Sequence, residues 1–232
     1  MTAKNHVILT DEDIENITNS KNSLTKRIYE RLMAMFLNNE LIPGQIFNRR
    51  DLAKQMGVSV APVLEALVLL EAEGFIESIP GKGTIIKPIK EQDVYERIIL
   101  REALECTAAR LYAGKPIQQH KSELMEYAEK IDQEDYNALY HLKTEIIFHA
   151  SLVNLAGLKT LTREYLKAVR IGMFCRLNML RGINHRIKTK KYSHLGLVKK
   201  LAVESSGEAE KIIREHLWSG YNHLQEQRIH AI

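Results

Sequence analysis

The strongest constraint on this chain is the order of short signals packed into residues 22 to 90. Residues 22 to 39 carry apolar side chains at Leu24, Ile28, Leu32, Met35 and Phe36, the spacing of one helix face. Ser23 is placed to cap that helix, and Ile42-Pro43-Gly44 stops it. A second, shorter helix opens at Asn48, with Asp51 three residues on, and closes at Gly57, a residue suited to a left-handed turn. A third opens at Ser59 and tolerates Pro62, because the first helical turn has no amide partner to lose. Its apolar positions Val63, Leu67 and Leu70 recur every three or four residues up to Gly74. Two β-type segments follow, Phe75 to Ile79 and Thr84 to Lys87, joined across Pro80-Gly81-Lys82-Gly83.

Helix, helix, tight turn, helix and hairpin is the order of a winged helix-turn-helix, whose third helix enters the major groove of DNA. Bulk charge alone would not have suggested it. The chain carries +4 overall, and residues 21 to 90 hold ten Lys or Arg against seven Asp or Glu. Pattern, not charge, carries the expectation.

Residues 24 to 88 then resemble the DNA-binding domain of the GntR family. The resemblance rests on Leu41-Ile42-Pro43-Gly44, Asp51-Leu52-Ala53, Gly57-Val58-Ser59, Ala61-Pro62-Val63 and Glu65-Ala66-Leu67, in that order. It closes with Leu70-Glu71-Ala72-Glu73-Gly74-Phe75 and Gly81-Lys82-Gly83-Thr84. The resemblance implies DNA contacts from Arg49, Arg50, Ser59, Val60, Ala61, Pro62, Lys82, Gly83 and Thr84. Two positions depart from the family pattern. Val60 and Leu64 stand where the family usually has DNA-contacting arginines, so the usual recognition sequence is not expected here. Lys26, Arg27 and Lys54 are candidates for phosphate contacts, although isolated surface lysines are more often merely solvated.

After Pro88 the pattern changes. Only one Pro (Pro116) follows, there is no alternating β run, and helical periodicity dominates. Six or seven helices are expected, over 93–113, 116–131, 135–155, 158–184, 191–204 and 208–228, forming an all-α bundle. The fold class is therefore mainly α. The expected division is a flexible tail over 1–20, a winged helix-turn-helix over 21–90 and an all-α domain over 91–232.

Within the bundle, Glu145 and His149 share a helix face at i, i+4, while His194 opens a later helix and His216 lies on the last one. Three imidazoles and a carboxylate on facing helices can enclose a divalent metal, but any one His on a helix is more often a surface or satisfied core residue. Residues 97 to 228 further resemble the FCD effector domain of the FadR-like GntR subfamily. The marks are Arg101 with Leu104-Glu105, Phe148-His149 with Leu152, Ala156-Gly157, His194 and His216-Leu217. The resemblance implies a metal (zinc, nickel or manganese) on Glu145, His149, His194 and His216, with Glu145 replacing the usual Asp. It also implies a small carboxylate effector that ligates the metal and pairs with an arginine. Arg101 is the best-matched candidate, with Arg170, Arg176 and Asn178 looser ones; Arg170 and Arg176 fit surface ion pairs equally well. The basic run Arg181 to Lys191 reads as a solvated connection.

No nucleophile elbow, phosphate loop or dinucleotide fingerprint is present, no general base is placed by a motif, and no catalytic residue is assigned. An enzyme is not expected. Apolar runs are too short for a membrane span, the first 20 residues are too acidic for a secretory signal, and Cys106 and Cys175 suit a reducing cytoplasm. The sequence thus leads to the expectation of a cytoplasmic, homodimeric repressor that binds a palindromic operator in double-stranded DNA and senses a small organic acid. The alternative is a metabolite-sensing or interaction protein whose winged helix no longer binds specific DNA.

Overall fold

A computed structural model describes residues 6–18, 23–37, 40–133, 138–179, 193–203 and 205–229. Eleven helices and one three-stranded sheet occur among them. They segregate around two apolar cores, one in the first third of the chain and one in the remainder.

The first core is built by α2 (Leu24–Leu37), α3 (Arg49–Met56), α4 (Val60–Ala72), β1 (Ile46–Phe47), β2 (Ile76–Ile79) and β3 (Gly83–Ile86). Local chemistry sets each end. Ser23 Oγ accepts from Lys26 N at the start of α2. Asn48 Oδ1 accepts from Arg50 N and opens α3, which closes at Gly57 with φ +68°, a left-handed conformation that glycine adopts without penalty. Ser59 occupies the cap position of α4 but its side chain makes no capping hydrogen bond. The chain turns by 117° between α3 and α4, the angle of a helix-turn-helix. Phe36 and Phe75 stack at 6.3 Å beneath α4, and Leu32, Val63, Leu70 and Ile86 fill the space around them. These buried aliphatic and aromatic side chains are the main stabilising element of the head, at about 1.5–3 kcal/mol each relative to exposure.

The sheet has the order β1-β3-β2 and is antiparallel throughout, with Ile46 opposite Ile85 and Ser78 opposite Thr84. The two-residue β1 has no periodicity to read, which is why it was not expected. It passes so close to Gly83 that an added Cβ would stand 2.9 Å from Phe47 O, and Gly83 has φ +116°. Only glycine fits there.

The second domain comprises α5 (Glu91–Tyr112), α6 (Lys115–Gln119), α7 (Lys121–Gln133), α8 (Ala138–Asn154), α9 (Lys159–Met179), α10 (His194–Leu201) and α11 (Ser206–Ile229). The long α5 is central: it packs on α11, α9 and α8, while α7 packs on α10. Where one helix was expected over 116–131, α6 and α7 are separated at His120, whose φ of −108° and ψ of 6° leave the helical region. The basic run Arg181 to Lys191 lies outside the described residues.

The flexible tail expected over 1–20 is corrected for residues 6–18. Val7 and Leu9 are buried in the core of the second domain, each 6% exposed. Val7 N donates to Glu123 Oε1 on α7 at 3.0 Å, and Leu9 N donates to Ser151 Oγ on α8 at 2.9 Å. Residues Asp11–Thr18 form a further helix, α1, opened by Thr10 and packed against α9. From there Glu15 reaches back to Lys26 Nζ on α2. The acidic stretch after Leu9 suggested a solvated tail, but two apolar side chains and two buried amides anchor it. We expect Leu9→Ala to destabilise the full chain by about 2–4 kcal/mol, read as a lower urea midpoint with unchanged slope. A variant as stable as the wild type would mean that the segment is not held.

Candidate metal centre and DNA-facing surface

His149 on α8, His194 at the start of α10 and His216 on α11 come together from three helices. Their rings form a near-equilateral triangle, with centroids 5.7, 5.3 and 5.3 Å apart. One nitrogen from each lies within 4.8 Å of the others. Phe148 packs edge-on against His149 and His194, closing one side with an apolar wall.

Two of the imidazoles are oriented by buried or half-buried carboxylates. His149 Nδ1 lies 2.8 Å from Glu105 Oε2, and Glu105 Oε1 accepts from Arg101 Nε at 2.8 Å. His194 Nδ1 lies 3.2 Å from Asp132 Oδ1. Asp132 also accepts from the amides of His194 and Leu195, each at 3.0 Å, and from Ser193 Oγ at 2.5 Å, so it fixes the start of α10 as well. A carboxylate on Nδ1 selects the tautomer with its proton there and leaves the Nε2 lone pair as a ligand. The Nε2 atoms of His149 and His194 are buried and have no hydrogen-bond partner. An orphaned buried acceptor costs about 1–3 kcal/mol, and a shared ion would satisfy both.

The electrostatics agree with that assignment. Burial opposes ionisation of Glu105, but the Arg101 guanidinium and His149 outweigh it and bring its carboxyl down to about 2. Burial likewise opposes Asp132, and hydrogen bonds from His194, Ser193 and two amides bring it to about 2. Burial, partly offset by Glu105, lowers His149 below its ordinary value. Burial, reinforced by the two neighbouring imidazoles, lowers His216 well below its own. Neutral imidazoles at His149 and His216, with Glu105 and Asp132 ionised, suit metal ligation.

The residues therefore fit a divalent cation of borderline softness. A tetrahedral ion with bonds of about 2.0–2.1 Å would draw the three nitrogens to roughly 3.3–3.4 Å apart, which small side-chain rotations supply. The expected four-residue set is corrected to three. Glu145 lies one turn before His149 on α8, but its carboxylate is not within the cluster. Its charge is felt instead by Arg101, Tyr165 and His216.

The expected effector residues divide. Arg101 is beside the centre, with its Nε committed to Glu105. Arg170 is engaged with the head: it hydrogen-bonds the Tyr29 hydroxyl on α2, which itself donates to Glu73 at 2.5 Å. Arg170 thus sits where α9 meets α2. The side chains of Arg176, Asn178 and Cys175 fall outside the described ones. Glu105 and Asp132 were not anticipated as supports. Glu105 had a signal in its i, i+4 spacing from Arg101, whereas nothing in the sequence places Asp132 beside His194 across 62 residues.

On the head, Arg49, Arg50, Ser59, Val60, Ala61 and Lys82 are exposed and Pro62 is half-buried. An open cleft between the start of α3 and the wing is lined by Asn48, Arg49, Ser78, Gly81 and Lys82. Gly83 and Thr84 line the same cleft and also serve the scaffold: Thr84 is 7% exposed in the sheet, and Gly83 is required by the passage of β1.

A DNA-binding head of helix-turn-helix and wing, joined to a helical domain with a candidate metal centre, defines a class of ligand-responsive transcription regulators. Residues 24–86 match the model of the bacterial regulatory proteins of the gntR family, and residues 96–218 match that of the FCD domain. The chain belongs to the GntR family and carries an FCD domain. It is 26% identical over 211 residues to the uncharacterised HTH-type transcriptional regulator YdhC of Bacillus subtilis, covering 89% of this chain and 91% of that one. It is 27% identical over 101 residues to the HTH-type transcriptional repressor RspR of Escherichia coli, 44% of each chain. The solved structure of E. coli McbR/YncC shares the fold, with a TM-score of 0.70 at 20% identity over 89% of this chain and 99% of that one.

The supports of the centre can be tested directly. Asp132→Asn keeps the shape but weakens the hold on His194, and about 10- to 100-fold lower metal affinity is expected by competition with a chromophoric chelator. The double variant His149→Ala, His194→Ala should purify without stoichiometric metal. Equal metal in wild type and double variant would remove the centre.

Proposed function

We propose that the chain is a homodimeric repressor whose helical domain senses a small carboxylate through a metal held by His149, His194 and His216. The observation that carries this reading is the pair of buried, partnerless Nε2 atoms converging with His216, each backed by a carboxylate. When bound, the ion would offer open coordination positions to an oxygen-donor ligand. Arg101 keeps N–H donors beyond the one committed to Glu105, and these suit the effector's carboxylate.

The route from centre to head runs through packed elements. The α9 helix packs on α5, which bears Glu105, and on α8, which bears His149. It also contacts α2 of the head, where Arg170 meets Tyr29, which in turn donates to Glu73. The α8 residue Ser151, two positions beyond His149, holds the N-terminal segment that returns to Lys26 on α2. A ligand that prefers one placement of α8 against α5 and α9 would therefore bias the placement of the head. In a symmetric dimer such a bias changes the spacing of the two recognition helices, and hence the fit to a palindromic operator.

A second reading keeps the sensor and drops the DNA. It is favoured by α4, whose outward face carries no basic residue. Fluorescence anisotropy of the full chain on duplex DNA from upstream of its own gene separates the two. Binding that falls steeply between about 50 and 200 mM salt, and that weakens on adding metal with one of a panel of small hydroxy- and dicarboxylic acids, is expected. The same acid should raise the melting temperature only with metal present, by an amount set by its concentration over its dissociation constant. No sequence-dependent retention on DNA under any of these conditions would sink the regulator reading in favour of the sensor.

A further inference from the structure

The outward face of α4 is a row of hydrocarbon. Val60, Leu64 and Val68 follow one another at i, i+4 and i+8 and are 38%, 40% and 55% exposed, with exposed Ala61 beside them. The helix has no basic residue, and its two carboxylates are tied into the head's own structure. Glu65 Oε2 accepts from Thr25 Oγ1 at 2.6 Å, and Glu71 accepts from Ser78 N at 2.6 Å and Ser78 Oγ at 3.0 Å. Beyond Ser59 at its start, the first turns of α4 therefore offer a base edge no side-chain hydrogen-bond donor.

Charge says what covers this row. Arg49 and Arg50 at the start of α3, Lys54 further along it and Lys82 on the wing are all exposed on the elements flanking α4. An apolar strip between cationic rims is complementary to a major groove, whose phosphates line the edges and whose floor carries one apolar feature, the 5-methyl group of thymine. A protein surface would be expected to leave the rims unmatched.

We propose that α4 selects its operator by hydrocarbon contact with thymine methyl groups through Val60, Ala61 and Leu64, so that the half-sites present T·A pairs at those positions rather than guanines. A guanine or cytosine there would place polar edges against side chains that cannot pair with them. Phosphate contacts from the flanking cations fix the register, and the methyl contacts supply the choice. The inference rests on the DNA-binding reading given above and concerns only how that binding discriminates.

Uracil isolates the methyl group, because it pairs as thymine does and lacks only that carbon. The full-length protein is used to select binders from a random duplex library, and the recovered sites are remade with deoxyuridine at single thymine positions. The expected half-sites carry thymines clustered at two or three positions. Replacing a contacted one should weaken binding about fourfold, the worth of one buried methyl, and replacing thymines elsewhere should change nothing. Leu64→Ala, at a 40% exposed position that does not threaten folding, should lose the uracil effect at one position while keeping the wild-type salt dependence. Val60→Ala should do the same at a neighbouring position. Half-sites with guanine at the selected positions, or equal binding of thymine and uracil duplexes, would overturn the methyl reading and leave DNA binding standing. Failure to recover any sequence, with no salt-dependent binding, would overturn both and assign the row to a protein partner.

Discussion

The helical domain is organised around a carboxylate that is almost completely buried. Glu105 is 2% exposed, and an ionised group there is tolerated only because Arg101 neutralises it from the preceding turn and His149 bonds its second oxygen. Each member of the trio needs the others. Without Glu105, a largely buried guanidinium would lose its counter-charge and His149 would lose the group that fixes its tautomer. Breaking one partner of a buried pair costs about 3–5 kcal/mol in general, far more than the net worth of keeping it. The chain therefore carries a polar network where a leucine cluster would serve stability equally well. The asymmetry makes sense if the network's purpose is to hold His149 Nε2 in place for an ion.

Asp132 solves the corresponding problem for His194 by a different device. It is only half-buried, and it gathers two amides, a hydroxyl and an imidazole at the first turn of α10. Anchoring the helix start and orienting the ring with one carboxylate couples the centre to backbone position. His216 lacks such a support among the hydrogen bonds described, and its ring is held by the flanking imidazoles and by its place on α11. The three donors thus differ in stiffness. His149 is fixed through α5 and His194 through α7, whereas His216 has no carboxylate of this kind among the hydrogen bonds described.

The sequence displayed the local punctuation of the head with fidelity. The turn at Pro43-Gly44, the cap at Asn48, the left-handed Gly57 and the hairpin at Gly81 are each set by one or two residues, so a single sequence can show them, although α2 ends at Leu37, before that turn. The three histidines were also legible, because a helical face and a family pattern both pointed to them. What stayed hidden depends on tertiary approach. The strand β1 is specified by where the hairpin lies, not by its own two residues. Arg170 has the same composition-level appearance as a pocket arginine, and only the direction of α9 sends it to Tyr29. The N-terminal segment was misread because its acidic surface outnumbers the two apolar residues that anchor it.

That segment changes the mechanical picture of the chain. Without residues 6–18, the α2–α9 contact and the connection into α5 would be the main links between the two domains among the described residues. Held by Ser151 at one end and reaching Lys26 through Glu15 at the other, the segment forms a second tie in parallel. The two ties have different character. The Tyr29–Glu73–Arg170 contact is half-buried, and burial together with the Glu73 charge pushes the Tyr29 hydroxyl well above its ordinary range, so it persists as a neutral donor. The Glu15–Lys26 pair has its carboxylate exposed, and such pairs contribute at most about 1 kcal/mol and weaken with salt. A shift of α8 would thus strain the weaker tie first while the buried one keeps the head attached. Two unequal links thus join the head to one helical scaffold, one buried and insensitive to salt, the other exposed and screened by it.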